Sequence, residues 1–258
     1  MTQKGSANME NLFEPKQVFT NIPELLNYLP TTLELTLISF LISLAVGLLL
    51  GVIKMKKIPV LTQLANLFIS IIRGTPVLVQ LYVTYFGIPM FLKYINYLYG
   101  TSYNVNSVPG IVYAFVALGL NSAAYMAETI RSAFESVESG QIEAATSLGM
   151  TYGQTLRRII LPEALTVALP NLGNSFISLM KGTSLAFTCG VVEMTAEGKI
   201  IGGRSFRYFE VYLSLALIYW VLTVAVEQIL KLVEKKTRIP EEAPEMAAGD
   251  SSEAEAAV

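Results

Sequence analysis

Five apolar stretches, each at least 22 residues long, dominate this chain and set the solvent in which it must fold. At about 1.5 Å of rise per residue, a helix of that length crosses the ~30 Å hydrocarbon core of a bilayer. The stretches fall at 31–53, 60–92, 109–130, 165–192 and 208–230. They predict an all-α integral membrane protein with five transmembrane helices. Composition agrees, because 53% of the 258 residues are hydrophobic and only 15% charged, with a mean hydropathy of +0.51. Soluble domains carry about 25% charged residues. The length leaves room for one membrane domain, 31–238, and little else.

The flanks orient the stretches. Lys54, Lys56 and Lys57 follow the first, Arg131 follows the third, and Lys231, Lys235, Lys236 and Arg238 follow the fifth. Basic residues beside a span favour the cytoplasm. With Arg157 and Arg158 these make ten, against six on the other side (Lys4, Lys16, Lys93, Lys199, Arg204 and Arg207). The expectation is an external N-terminus and a cytoplasmic C-terminus. External loops are expected at 93–107, rich in Tyr and Asn, and at 193–207, with Gly198, Gly202 and Gly203. Residues 1–30 read as an external segment whose apolar side chains suit a short amphipathic helix over 11–29. The first apolar run is too long for the core of a cleavable leader, so it is expected to be retained.

Residues 239–258 hold six acidic and no basic side chains, which predicts a disordered acidic cytoplasmic tail. Without them the chain carries 18 basic against 14 acidic residues, so the formal charge of −2 conceals a basic membrane domain. There is no His and a single Cys. Zinc centres, His-based catalysis and internal disulfides are thereby excluded, and Cys189 reads as a small packing residue.

Ionisable groups at membrane depth cost several kcal/mol unless they face protein or water, which makes each a functional candidate. Arg73 lies roughly 13 residues, or about 20 Å, into the second stretch. Gly74, Thr75 and Pro76 follow it and loosen the helix. Broken backbone at that depth is tolerated where it lines a cavity or is buried in protein. Lys181 lies at similar depth in the fourth stretch, followed by Gly182, Thr183 and Ser184. Two broken spans, each with a cation beside hydroxyls, suit an anionic group held at mid-membrane. Arg73, Thr75, Lys181, Thr183 and Ser184 are therefore candidates for a substrate pathway, joined by Asn121, whose amide falls midway along the third stretch. The alternative is that each cation pairs internally, for example with Glu128, for which Arg131 at i+3 is the favoured partner. Tyr82, Tyr85 and Gln80 either line the outer pathway or belong to an interfacial belt.

Between the third and fourth stretches, 135–162 is polar and helix-prone. Its 143–162 portion reads EAATSLGMTYGQTLRRIILP. The spacing is EAA, three residues, Gly, nine residues, then I-x-L-P. Small Ala144 and Ala145 permit close approach to a partner, and Gly149 allows a sharp turn after a first helix. Arg157 and Arg158 return the chain to the interface, and Pro162 is expected to stop the segment. This spacing resembles the EAA loop of bacterial ABC importer permeases. Three further segments are similar to the polar amino acid permeases: FISIIRGTPVLVQLYVTYFGIP at 68–89, NSAAYMAETIR at 121–131 and MKGTSL at 180–185.

The resemblance covers about 31–236, and it implies a type I ABC importer permease fold in a bacterial cell membrane. It implies a subunit that pairs with a second permease, either a copy or a paralogue. Two cytoplasmic ATP-binding subunits would dock on Glu143, Ala144, Ala145, Gly149, Leu161 and Pro162, and an external or periplasmic binding protein would deliver substrate. No cofactor is expected on this chain; ATP and magnesium would sit on the partner ATPase, since no GxxxxGK[ST] loop is present. Membrane lipid is the other expected neighbour, and nothing calls for nucleic acid. Many family members carry an acid after the fourth-span Lys, where this chain has Gly182. That departure favours zwitterionic or acidic substrates, and the KGTSLAF wording is similar to the cystine-type branch. An ion-coupled secondary transporter is the alternative class, and a channel or scaffold a third.

Overall fold

The computed structural model describes residues 13–104 and 107–237, and among these there are helices and no strand. In chain order the α-helices are α1 (Pro15–Thr20), α2 (Ile22–Leu26), α3 (Leu29–Met55), α4 (Pro59–Gly74), α5 (Val77–Tyr99) and α6 (Gly110–Glu135). They continue as α7 (Ser139–Ser147), α8 (Tyr152–Thr155), α9 (Leu161–Gly182), α10 (Met194–Ser205) and α11 (Tyr208–Thr237). A π-helical turn, Leu156–Ile160, joins α8 to α9, and a 3₁₀ segment, Thr183–Cys189, extends α9. Helices α3, α5, α6 and α11 are each long and apolar enough to cross a bilayer. Tyr152–Cys189 and α10 meet the same criterion only when taken together, bent by 57° at the break, which makes four crossings, or five if that pair is one span. The protein is a multi-pass, all-α membrane protein.

Burial inverts the rule for water-soluble helices. Along α3 the buried positions include Ser39, Ser43, Gly47 and Gly51, one per turn, while Leu37, Leu41, Leu48 and Leu49 are exposed. Lipid solvates leucine as well as a protein core does, so helices associate through small residues that let backbones approach. The stripe packs against Gly119, Ala123 and Ala127 of α6. A Cβ on Gly47 would lie 2.9 Å from Met126, and one on Gly119 would lie 2.7 Å from Ile42. Helices α3 and α6 therefore form the closest-packed pair, and α9 and the 3₁₀ segment lean on it. At one end of this pair, Lys54 and Arg131 both pair with Glu128, and Arg131 also reaches Glu135.

Several expected boundaries move. The second stretch is two helices: Thr75 and Pro76 are extended, and α5 continues to Tyr99, well into the region read as an external loop. The helical run that carries the fourth stretch begins at Tyr152, ahead of the expected start at 165. The larger correction is α10, which replaces the loop expected at 193–207. Three acids in and beside it are buried and satisfied. Glu193 caps the helix by accepting from the Thr195 and Ala196 amides, both at 2.9 Å, Glu197 pairs with Arg204 at 2.8 Å, and Glu210 of α11 pairs with Arg207 at 3.0 Å. The amphipathic segment near the N-terminus is α1 and α2, divided at Asn21 before Pro23. They are docked on α10 and α11 through buried Val18 and Leu25. The Ser214 hydroxyl donates to the Val18 carbonyl at 2.7 Å. The predicted tail, 239–258, lies outside the described residues.

Candidate functional site

A cleft of about 610 Å³ opens between α6 and α9, with the end of α4 at its rim. Its polar walls come from two helix faces. On α6 they are Asn121, Ser122, Tyr125, Glu128 and Thr129; on α9 they are Asn171, Asn174, Ser175, Ser178 and Gly182. Both sets recur at i, i+3/i+4 and i+7, the spacing of one helical face. Arg73, the penultimate residue of α4, completes the lining and lies over the Tyr125 ring, 5.2 Å from its centroid.

The sequence-predicted pathway residues divide here. Arg73 and Asn121 line the cleft. Thr75 is exposed and is not a lining residue, Thr183 is buried and donates to the Met180 carbonyl at 2.7 Å, and Ser184 is half-buried in the 3₁₀ segment. Lys181 is exposed beside the cleft-lining Gly182 but is not itself a wall residue. Internal pairing of the two cations with Glu128 does not occur. Glu128 is taken by Lys54 and Arg131, and neither Arg73 nor Lys181 forms an ion pair among the described residues.

Gln80 has a role that the sequence did not suggest. In an unbroken helix the Ile72 carbonyl would accept from the amide four residues on, but that residue is Pro76, which has no N–H. The Gln80 side-chain amide takes its place, donating to the Ile72 carbonyl at 2.8 Å, the Thr75 carbonyl at 3.1 Å and the Thr75 hydroxyl at 2.8 Å. Its oxygen accepts from Asn121 Nδ2 at 3.0 Å. Buried Gln80 thus mends the break and fixes Asn121 at the cleft, rather than lining an outer path. Tyr85 does line a second cleft, of about 380 Å³, with Phe86, Met90 and Lys93, while Tyr82 is exposed and stacks on Phe86.

The EAA-like segment folds as a helix–turn–helix. Helix α7 ends at Ser147 with Leu148 as its C-cap, and Gly149 takes a left-handed φ of +78°. Its amide donates to the Thr146 carbonyl at 2.9 Å and that of Met150 to the Ala145 carbonyl at 3.1 Å, the paired bonds of a Schellman ending. Thr151 then caps α8 in a reciprocal box with Gln154, a T-x-x-Q signal present in the sequence but missed. Glu143 and Ala144 are exposed, whereas Ala145 is buried in its own chain, so its small size serves internal packing rather than a partner. Leu161 is half-buried, and Pro162 sits in the first turn of α9, directly after the π-helical turn that joins it to α8. Pro162 therefore does not stop the segment, because the helical run passes through it from Tyr152 to Cys189. Around the turn, Leu148 is 83% exposed and Tyr152 77%, an apolar surface at the tip of a polar segment.

Residues 18–239 match the family described as "binding-protein-dependent transport system inner membrane component". The chain belongs to that family. Among curated relatives, the probable amino-acid permease protein YxeN of Bacillus subtilis is 41% identical over 230 residues, 89% of this chain and 98% of that one. The L-cystine transport system permease protein TcyL of the same organism is 37% identical, covering 89% and 94%. The glutamine transport system permease protein GlnP of Escherichia coli is 33% identical, covering 88% and 99%. A solved amino acid ABC transporter "with histidines" superposes with a TM-score of 0.72 at 34% identity, covering 87% of this permease and 99% of that chain. An inward-facing MetNI methionine transporter aligns with a TM-score of 0.65 at 21% identity, covering 83% and 96%, and so shares the fold. The chain is an amino-acid ABC transporter permease of the type I fold.

Proposed function

We propose that this permease is the membrane path of an ATP-driven importer for a polar amino acid, with the α6–α9 cleft on the substrate route and the α7–α8 turn as the docking surface for the ATPase. The observation that carries it is the pairing, on one continuous helix and a three-residue turn, of a polar cleft wall with an exposed coupling segment: α6 supplies Asn121 and Tyr125 and leads directly into α7. A push on α7 is therefore a push on the cleft. Arg73 holds the α-carboxylate and Asn121 supplies a hydrogen bond. Lys181, Thr183 and Ser184 act beside the path, with Thr75 holding the first break. Two ATP-binding subunits, carrying ATP and magnesium, dock through Glu143, Ala144, Leu148 and Tyr152. A second permease, identical or paralogous, and an external binding protein complete the assembly. The N-terminus is external and the C-terminus cytoplasmic. The substrate is zwitterionic or acidic, with cystine the leading candidate on the strength of Gly182 beside Lys181 and of the cystine relatives.

Leu148→Asp tests the docking surface. Apolar anchors dominate such contacts, so a buried carboxylate there should reduce co-purification of the ATP-binding subunit about tenfold or more. Undiminished co-purification with normal uptake would overturn the assignment of that surface.

A further inference from the structure

We propose that Glu128 is a positioning residue for transport: it ties α3 to α6 beside the coupling segment, so that a displacement of α7 moves both helices together. The inference rests on the transport reading above and adds what conveys the movement. Glu128 stands about two turns before the end of α6, and residues 136–138 alone separate that end from α7. One carboxylate oxygen pairs with Lys54 in the last turn of α3, and the other accepts from Arg131 Nε at 3.0 Å. Arg131 in turn pairs with Glu135, the last residue of α6. A chain of alternating charge therefore runs from the end of α3 to the end of α6. Its Lys54–Glu128 member is the one ion pair that joins α3 to another helix among the described residues.

Packing alone does not supply this tie. Gly51 brings α3 so close to α6 that a Cβ there would lie 3.2 Å from the Ala127 carbonyl oxygen. Such contacts resist approach, but dispersion is weak per atom pair and fades once the surfaces part. An ion pair whose side chains are only 16% to 24% exposed reaches further, because partial burial removes water and salt that would screen it. The link also stands where movement reaches both walls of the cleft. Glu128 is itself a lining residue on α6. Helix α3 touches the opposite wall through Phe40, whose ring meets Phe176 of α9 edge-on with centroids 5.2 Å apart. Val137, in the turn before α7, is buried with Ala133 of α6 and Ala164 and Ala168 of α9. Movement of α7 thus meets α9 through Val137 and α6 through the chain itself. It meets α3 through helix packing and through Glu128.

The test uses the transporter assembled with its ATP-binding subunits and binding protein in proteoliposomes, in a Cys189→Ala background. It reads labelled amino acid taken up per ATP hydrolysed, with cystine, glutamine and glutamate supplied in parallel. Lys54→Gln cuts the arm to α3 and should lower that ratio about tenfold while hydrolysis stays near the parental rate. Lys54→Arg keeps the charge and should keep the parental ratio. Arg131→Gln leaves the Lys54–Glu128 pair in place and should lower the ratio less than Lys54→Gln does. The double variant Lys54→Cys with Glu128→Cys should be uncoupled when each thiol is capped by N-ethylmaleimide, and coupled again when a short bismaleimide joins the two. An unchanged ratio in Lys54→Gln, a parallel fall of uptake and hydrolysis, or a joined pair that stays uncoupled would each overturn the proposal. Those outcomes leave the transport reading standing, because the parental chain still accumulates amino acid with ATP. A parental chain that accumulates none of the three removes that reading, and this proposal with it.

Discussion

The two interrupted crossings carry nearly the same four residues, Arg73-Gly-Thr-Pro and Lys181-Gly-Thr-Ser, yet the chain treats them differently. At the first, Pro76 deletes an amide and the backbone opens into extended Thr75 and Pro76. A distant side chain, Gln80, then repairs the carbonyls, and its second contact fixes Asn121 at the cleft. At the second, Ser184 leaves the amide in place, so the helix only tightens into a 3₁₀ segment with Thr183 turned inward. Arg73 is presented to the cleft by its break, whereas Lys181 remains on an almost regular helix and points elsewhere. One missing N–H separates a break that builds a polar site from one that merely bends the helix.

The largest expected effect sets the two cations against each other. Arg73→Met should lower uptake about 100-fold, the scale of a lost charged hydrogen bond of about 3 kcal/mol. Lys181→Met should lower it about tenfold or less, because an exposed charge contributes about 1 kcal/mol. Both are read as initial uptake rates normalised to permease in the membrane, and a reversed order would break the comparison. A smaller effect compares the two repairs. Gln80→Leu leaves the Ile72 and Thr75 carbonyls unanswered and should destabilise the purified permease by about 2 kcal/mol, whereas Thr183→Val removes one local bond worth about 1 kcal/mol. Thermal unfolding in detergent ranks them. Equal midpoints would mean that Gln80 is not what holds the first break.

Much of this could be read in the sequence for physical reasons that do not depend on tertiary structure. Apolar length decided the membrane class, and Pro76 announced its own break. The α7–α8 turn was legible because Gly149 is needed at a left-handed position. Other features needed partners that no local pattern names. Helix α10 read as a loop because of its glycines and charges, but a Cβ on Gly198 would lie 2.6 Å from Leu215, and Glu193 and Glu197 are absorbed by a cap and by Arg204. The Asn171–Asn174–Ser178 face had the right spacing in plain view and was passed over because its neighbours were apolar enough to read simply as a span. Gln80 was ambiguous until the carbonyls it serves were located.

The measurement that tests the account most directly is uptake of labelled amino acid into proteoliposomes holding the permease, its ATP-binding subunits and binding protein, driven in turn by ATP and by imposed proton or sodium gradients. The account predicts accumulation with ATP and none with either gradient alone, and loss of that accumulation in Arg73→Met. Accumulation driven by a gradient in the absence of ATP would contradict it.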